Sequence, residues 1–246
     1  MHREKKGGEI AWHFLRDDYT SSCGDEPPWK VGKTRTIQGT IAICEKGYHA
    51  SPSWYSALSY ADGSIACIVQ LSSISGYDTD KMVGRTRKLI AAKSIACELR
   101  LFACDCAERA LLRERERGQE PDSRSWNALE VATRYANGQA TKEELAAARE
   151  AAWDVARYIS RNTASNMART ASWEAAFNAA CNADQEAARR AAAAAARNAA
   201  WAATFKAKGK PVKDTVWKAA WHAEIEWQKH RLDEYLTAVF QAGGTG

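Results

Sequence analysis

Three cations fall within four residues at Arg85-Thr86-Arg87-Lys88, directly after Gly84, and such a run suits contact with an anion such as a phosphate. Tyr48 and His49 add an aromatic ring and an imidazole, so Tyr48, His49, Arg85, Arg87 and Lys88 make a candidate ligand-binding set. Cys44 and His49 are the residue types of a nucleophile and its base, but no residue supplies the orienting third group or an oxyanion hole. Cys97, Cys104 and Cys106 are thiols of the kind that hold structural zinc. Residues two apart on a helix point about 200° apart, so Cys104 and Cys106 face different ways and read as core thiols, and no metal site is expected. His222 and His230, eight residues apart with tryptophan between them, read as surface or boundary residues. No Walker loop, dinucleotide fingerprint or zinc-protease helix occurs.

The elements that must position these residues change character near residue 100. Nine of the 15 glycines lie at or before Gly84, so the first part is rich in turns. From Ala103 onward 39 of 144 residues are alanine and proline occurs only at 121 and 211, which favours long helices because alanine loses no side-chain entropy in a helix. The first part reads as a strand over 9–15, a second over 36–44 with an irregularity at Gly39, and a turn leading into Tyr48-His49-Ala50. A short helix follows, capped by Ser51 with Pro52 at its first position, and then a buried strand over 64–71; the segment 83–95 fits strand, helix or one of each. In the second part a helix is expected from Ala96 to about Arg117, another around Trp126 to Tyr135 ended by Asn137-Gly138, and a third opened by the capping box Thr141 to Glu144 and carrying a stripe from Leu145 to Ile159. A long helical stretch broken near 182–184 comes next, then a break at Lys208-Gly209-Lys210-Pro211. Asp214 caps a last helix with Trp217, Trp221, Ile225, Leu232, Leu236 and Phe240 on an apolar face.

Seven of the ten tryptophans lie between 126 and 227, embedded in alanine, and read mainly as core rings. Trp217, Trp221 and Trp227 are the candidates for an interaction face, and an alanine-tryptophan surface of this length predicts homo-oligomerisation. The net charge of +5 is spread evenly, with 14 basic against 11 acidic residues up to Ala103 and 21 against 19 afterwards, so there is no basic stripe of the kind nucleic acid demands. Seven scattered cysteines read as reduced thiols, no run of about 18 apolar residues could span a membrane, and the charged start has no apolar stretch behind it. A soluble, cytoplasmic protein is expected.

The segment Cys44 to Ala50 (Cys-Glu-Lys-Gly-Tyr-His-Ala), with Ala57-Leu58-Ser59-Tyr60-Ala61, the strand Ile65 to Val69 and Asp80-Lys81-Met82-Val83-Gly84-Arg85, resembles an uncharacterised family of bacteriophage-encoded proteins over roughly residues 9–110. The segments 101–109, 132–138 and 141–145 are similar to an alanine-rich helical domain assigned an immunity role in polymorphic toxin systems. More distantly, the order of elements resembles ADP-ribosyltransferases of the His-Tyr-Glu type. That resemblance implies that His13 holds a ribose of NAD and that Tyr48, or His49 in its place, stacks on nicotinamide. No glutamate follows at the family's final strand, which leaves Asp78, Asp80 and Glu98 as the acids available by position.

The expected fold is α+β: a small twisted sheet domain over 1–100 and an alanine- and tryptophan-rich helical bundle over 101–246. The resemblances imply a phage accessory protein that binds and blocks a host component, a defence protein or a nucleotide signal, without catalysis or cofactor. The alternatives are an NAD-dependent ADP-ribosyltransferase and an immunity-type protein-interaction module. An acid beside His13 and Tyr48 would favour the transferase; a large exposed apolar patch on the last helix would favour the module.

Overall fold

The computed structural model describes residues 8–156, 164–205 and 210–242. Alternating and β-branched segments in the turn-rich part form strands β1 (Glu9–Leu15), β2 (Thr34–Thr36), β3 (Tyr48–Ala50), β4 (Ile65–Tyr77) and β5 (Met82–Ser94), with the short helix α1 (Trp54–Leu58) between β3 and β4. The sheet runs β1-β4-β5-β2, all antiparallel, and β3 pairs with another stretch of β5. Its centre is a long hairpin, β4 against β5, from Ile65 opposite Ser94 to Tyr77 opposite Met82. The segment 83–95 is therefore strand almost throughout. Ala11, Leu15, Trp29, Tyr48, Ile65, Cys67, Leu71 and Leu89 are among the residues buried in one cluster of this unit.

Several boundaries differ from expectation for local reasons. The strand expected over 36–44 ends at Thr36: Ile37 adds one rung by donating its N–H to the Arg85 carbonyl, and then positive φ at Gly39 and Cys44 turns the chain out of the ladder. Ser51 does not cap α1, because its backbone pairs with Trp12 on β1; Ser53 caps instead, its hydroxyl accepting from the Ser56 N–H at 3.1 Å, and the helix ends at Leu58. The strand expected over 64–71 continues to Tyr77. Gly84 has a packing reason, since a Cβ there would lie 2.7 Å from Leu71 Cγ and 2.9 Å from the Ser72 carbonyl oxygen.

The alanine-rich part is helical: α2 (Ala96–Glu116), α3 (Ser123–Ala136), α4 (Lys142–Ala156), α5 (Ala164–Ala179), α6 (Asp184–Thr204) and α7 (Lys210–Ala242). The fold is thus α+β. Thr141 and Glu144 form the reciprocal capping box, each backbone N–H donating to the other's side chain, at 2.7 and 3.2 Å. Ala191, Ala194, Ala195 and Ala196 on α6 are fully buried, and α6 packs against both α5 and α2. The break near 182–184 is held by Arg100, which is fully buried and donates to the carbonyls of Ala179, Cys181 and Asn182 and to Asp184. One buried guanidinium thus satisfies carbonyls left over at the end of α5. The last helix starts at Lys210, ahead of Asp214, with Pro211 in the first turn, where a missing N–H costs no hydrogen bond. Ile159 of the expected α4 stripe and 206–209 of the expected break lie outside the described residues.

Two compact units emerge: residues up to Ile95 together with those from Leu236 onward, and Ala96–Tyr235. In the first, the Trp54 ring stacks on Phe240 at 5.4 Å and meets Trp12 and Phe14 edge-on. The buried stripe of α7 differs from the apolar face expected. Leu232 and Leu236 are buried, but Trp217, Trp221 and Ile225 are only partly so, and Glu224 and Gln228 complete the stripe at the same four-residue step. No helix among the described residues is long and apolar enough to cross a membrane.

Candidate functional site

The cation run in β5 is divided by the pleat. Arg85 and Arg87 lie on one face and Lys88 on the other, because successive side chains alternate. Arg85 donates to the carbonyls of Ile37 and Gly39 and so fastens the neighbouring loop. Lys88 is exposed. Arg87 is 3% exposed and lies 4.4 Å from the Trp29 ring centre and 4.8 Å from that of Tyr48, donating to the His49 carbonyl and the Ser21 hydroxyl. The three cations do not converge on one point.

Around Arg87 the first unit builds a closed polar ladder. Arg35 also sits over Trp29, at 4.3 Å, so two guanidinium groups lie against that ring. Arg35 pairs with Glu26 at 3.1 Å, and the Tyr48 hydroxyl donates to the same carboxylate in a short hydrogen bond. Burial and the Glu26 contact push the Tyr48 hydroxyl well above its ordinary pKa, while burial lowers the Arg87 guanidinium to about 10. Tyr48 is 5% exposed and edge-on to Trp29, so its ring is enclosed by its own neighbours.

His13 and Cys67 are cross-strand partners on β1 and β4. Burial holds the His13 imidazole well below its ordinary range, with Arg87 and His49 adding to the effect, and pushes the Cys67 thiol up to about 12. The Nε2 of His13 is shut off from solvent and has no hydrogen-bond partner among the described residues. His49 is also lowered by burial, and its Nε2 accepts the Cys44 backbone N–H at 3.0 Å, so the contact between these two residues runs through the amide and not the thiol. Of the acids picked out by position, Asp80 accepts from the Tyr60 hydroxyl at 2.6 Å, Asp78 accepts from Thr79, and Glu98 belongs to α2 of the helical unit. The acid that does reach Tyr48 is Glu26, from the polar loop before β2. Its only sequence signal was the Asp25-Glu26 pair ahead of two prolines.

The helical unit holds an open groove of about 450 Å³ between α2 and α7. Helical spacing lines it from α2 with Asp105, Glu108, Arg109, Leu112, Arg113 and Glu116, and from α7 with Trp227, His230, Arg231 and Glu234. Each arginine is already engaged. Arg109 and Arg113 both donate to Oε2 of Glu224, at 2.9 and 2.6 Å, and Arg109 lies 4.5 Å from the Trp227 ring centre. Arg231 donates to Asp105 at 2.7 Å and to Glu234 at 2.8 Å, and Tyr235 donates to the same Asp105 oxygen. Glu224 is 2% exposed, and Arg113 continues the chain of contacts inward to Asn198, which donates to buried Glu114. Toward solvent the lining also presents Leu112, 40% exposed, His230, which lies 3.2 Å from Glu234, and the exposed carboxylates of Glu108 and Glu116, to which no described side chain bonds.

Of the interaction-face candidates, Trp227 lines this groove, whereas Trp217 and Trp221 stack on each other at 5.1 Å and Trp201 meets Trp217 edge-on. Sequence reasoning missed the groove because the alternation Arg113-Glu114-Arg115-Glu116-Arg117 reads as a solvated face. The available signal was Glu224 and Gln228 standing in the four-residue step that leads to Leu232 and Leu236. Among the described residues no three His, Cys, Asp or Glu side chains are grouped to hold a metal ion. No family model matches the chain, and no curated protein or solved structure is similar to it.

Proposed function

We propose that this chain is a non-enzymatic phage accessory protein that binds and blocks a host component, and that the component is a protein engaged at the α2–α7 groove. The observation that carries the reading is the charge state of that groove. Its lining has four carboxylates against three arginines, and all three arginines are spent on Glu224, Asp105 and Glu234. A phosphate-bearing nucleotide needs cations free to form charge-assisted hydrogen bonds, and it would face Glu108 and Glu116 here. A protein segment meets instead an aromatic ring, an exposed leucine and two exposed carboxylates that no described side chain bonds, a mixture of apolar anchor and polar rim common at protein interfaces. The enclosure of Tyr48 by Trp29 and Arg87 supports binding over NAD chemistry, since a nicotinamide would need a free ring face to stack on.

The test has two arms. Purified protein incubated with NAD and a panel of linear and cyclic nucleotides should leave every one unchanged and recoverable after denaturation. Tagged protein expressed in the bacterial host should hold one host protein in stoichiometric amount, and Leu112→Lys should release it while leaving the fold intact, because Leu112 is exposed. Release of nicotinamide, or retention of a nucleotide until denaturation, would overturn the reading.

A further inference from the structure

We infer that α7 works as a strap: its part within the helical unit releases from α2 and α6 as one cooperative segment and re-docks, while α2, α5 and α6 stay packed. What α7 buries points to this. Among its described residues in that unit, those buried are Glu224, Gln228 and Leu232, two of them polar. On α6, by contrast, nine of the eleven buried residues are alanines, and their small size lets α6 pack closely on both α5 and α2. The rings of α7 do not make up the difference. Trp217 and Trp221 are half-buried and stack on each other, which spends aromatic surface within α7 itself, and Trp217 meets Trp201 of α6 edge-on at 6.3 Å. A segment with so little buried apolar surface is the kind that opens ahead of the rest of a domain.

Charge and hydrogen bonds hold α7 down instead. Glu224 accepts from Arg109 and Arg113 of α2, Asp105 of α2 accepts from Arg231 and Tyr235, and Gln228 donates to the Ala192 carbonyl of α6 at 2.9 Å. Taking a carboxylate out of water offsets much of what its ion pairs contribute. For Glu224 the offset is greater, because Oε1 is shut off from solvent with no partner among the described residues. Release returns that oxygen to water and frees Arg109 and Arg113 from the carboxylate. It also takes the groove apart, because Trp227, His230, Arg231 and Glu234 leave with α7. The motion belongs to the chain alone, whatever the groove binds.

Amide hydrogen exchange of the full chain, followed residue by residue and repeated in urea below the unfolding midpoint, reads the motion directly. Amides of α7 between 217 and 232 should share one opening and exchange at least about 100-fold faster than those of α6 between 187 and 200. Their rates should also rise less steeply with urea, since a partial opening exposes less surface than unfolding does. Glu224→Gln should speed the α7 amides about 30-fold, whereas Glu226→Gln, whose partner Lys229 is on the surface, should change them by less than about threefold. Equal rates and equal urea slopes in α7 and α6 would overturn the strap, because α7 would then open only with the whole bundle. So would exchange that slows progressively inward from residue 212 and leaves 224–232 as protected as α6, which is the fraying of a helix end. An α7 rate unchanged by Glu224→Gln would overturn the hold assigned to that carboxylate.

Discussion

Glu224 shows how much one residue can organise. Placed on a stripe that also buries Gln228, Leu232 and Leu236, it draws Arg109 and Arg113 onto the same carboxylate oxygen and, through Arg113, connects to Asn198 and Glu114. Removing its charge strands two guanidinium groups. Glu224→Gln should cost about 2–3 kcal/mol in urea denaturation, less than the roughly 3–5 kcal/mol of a fully buried pair because Arg109 is partly exposed. Glu226→Gln, whose partner Lys229 is on the surface, should stay within about 0.5 kcal/mol. His13 sets a pH limit on the first unit. Its folded pKa is depressed by burial, so below about pH 6.5 the unfolded chain takes up a proton that the folded chain refuses. The associated stability is complete above that pH and is lost as the pH falls toward the folded value, with a slope approaching about 1.4 kcal/mol per pH unit for this one group. Denaturation midpoints followed from pH 7.5 to 5.0 should show the decline, and His13→Gln should make it shallower; an unchanged slope would remove His13 as its cause. Tyr48, Arg87 and His49 were legible as a set, since β3 and β5 do bring them together. That the set is closed inward was not, because Glu26 and Trp29 come from a loop with no periodicity to place them.

Among the elements, legibility followed the strength of local signals. The capping box at Thr141, the start of α2 at Ala96 and the break between α5 and α6 were readable because side chains within a few residues determine them. The strand β5 was ambiguous since its residues carry both alternating and helical spacing, and pairing with β4 decides between them. The loop after β2 was misread because apolar residues at 41–43 resemble a strand, while positive φ at Gly39 and Cys44 prevents one. Within the bundle, α6 works through smallness: buried alanines let α5 and α2 approach on both sides. Adding volume there should be punished. Ala195→Leu, at a fully buried position, should destabilise the bundle by about 1–3 kcal/mol, whereas Ala203→Leu, on the exposed side of the same helix, should change stability by less than about 0.5 kcal/mol. Equal effects in thermal denaturation would mean that α6 tolerates a wider separation than its alanines imply.

For the molecule as a whole, composition carried the class and little more. The glycine-rich and alanine-rich halves announced a sheet and a bundle, and the α+β fold bears that out. A mild net charge of +5 conceals a groove lined by four carboxylates against three arginines, since the excess cations lie elsewhere. Function could not be read from a motif because the binding chemistry proposed here is made by residues from α2 and α7 that lie more than a hundred positions apart in the chain. Phe205 and Val212, each more than half exposed, are the competing candidates for contact with a partner. Photo-cross-linking decides between the two surfaces most directly. A benzophenone amino acid placed at position 112 in the full chain, and separately at 212, reports in host cells which surface touches a partner. The account predicts a discrete cross-linked host protein from position 112 and none from 212. A cross-link from 212 alone would contradict it.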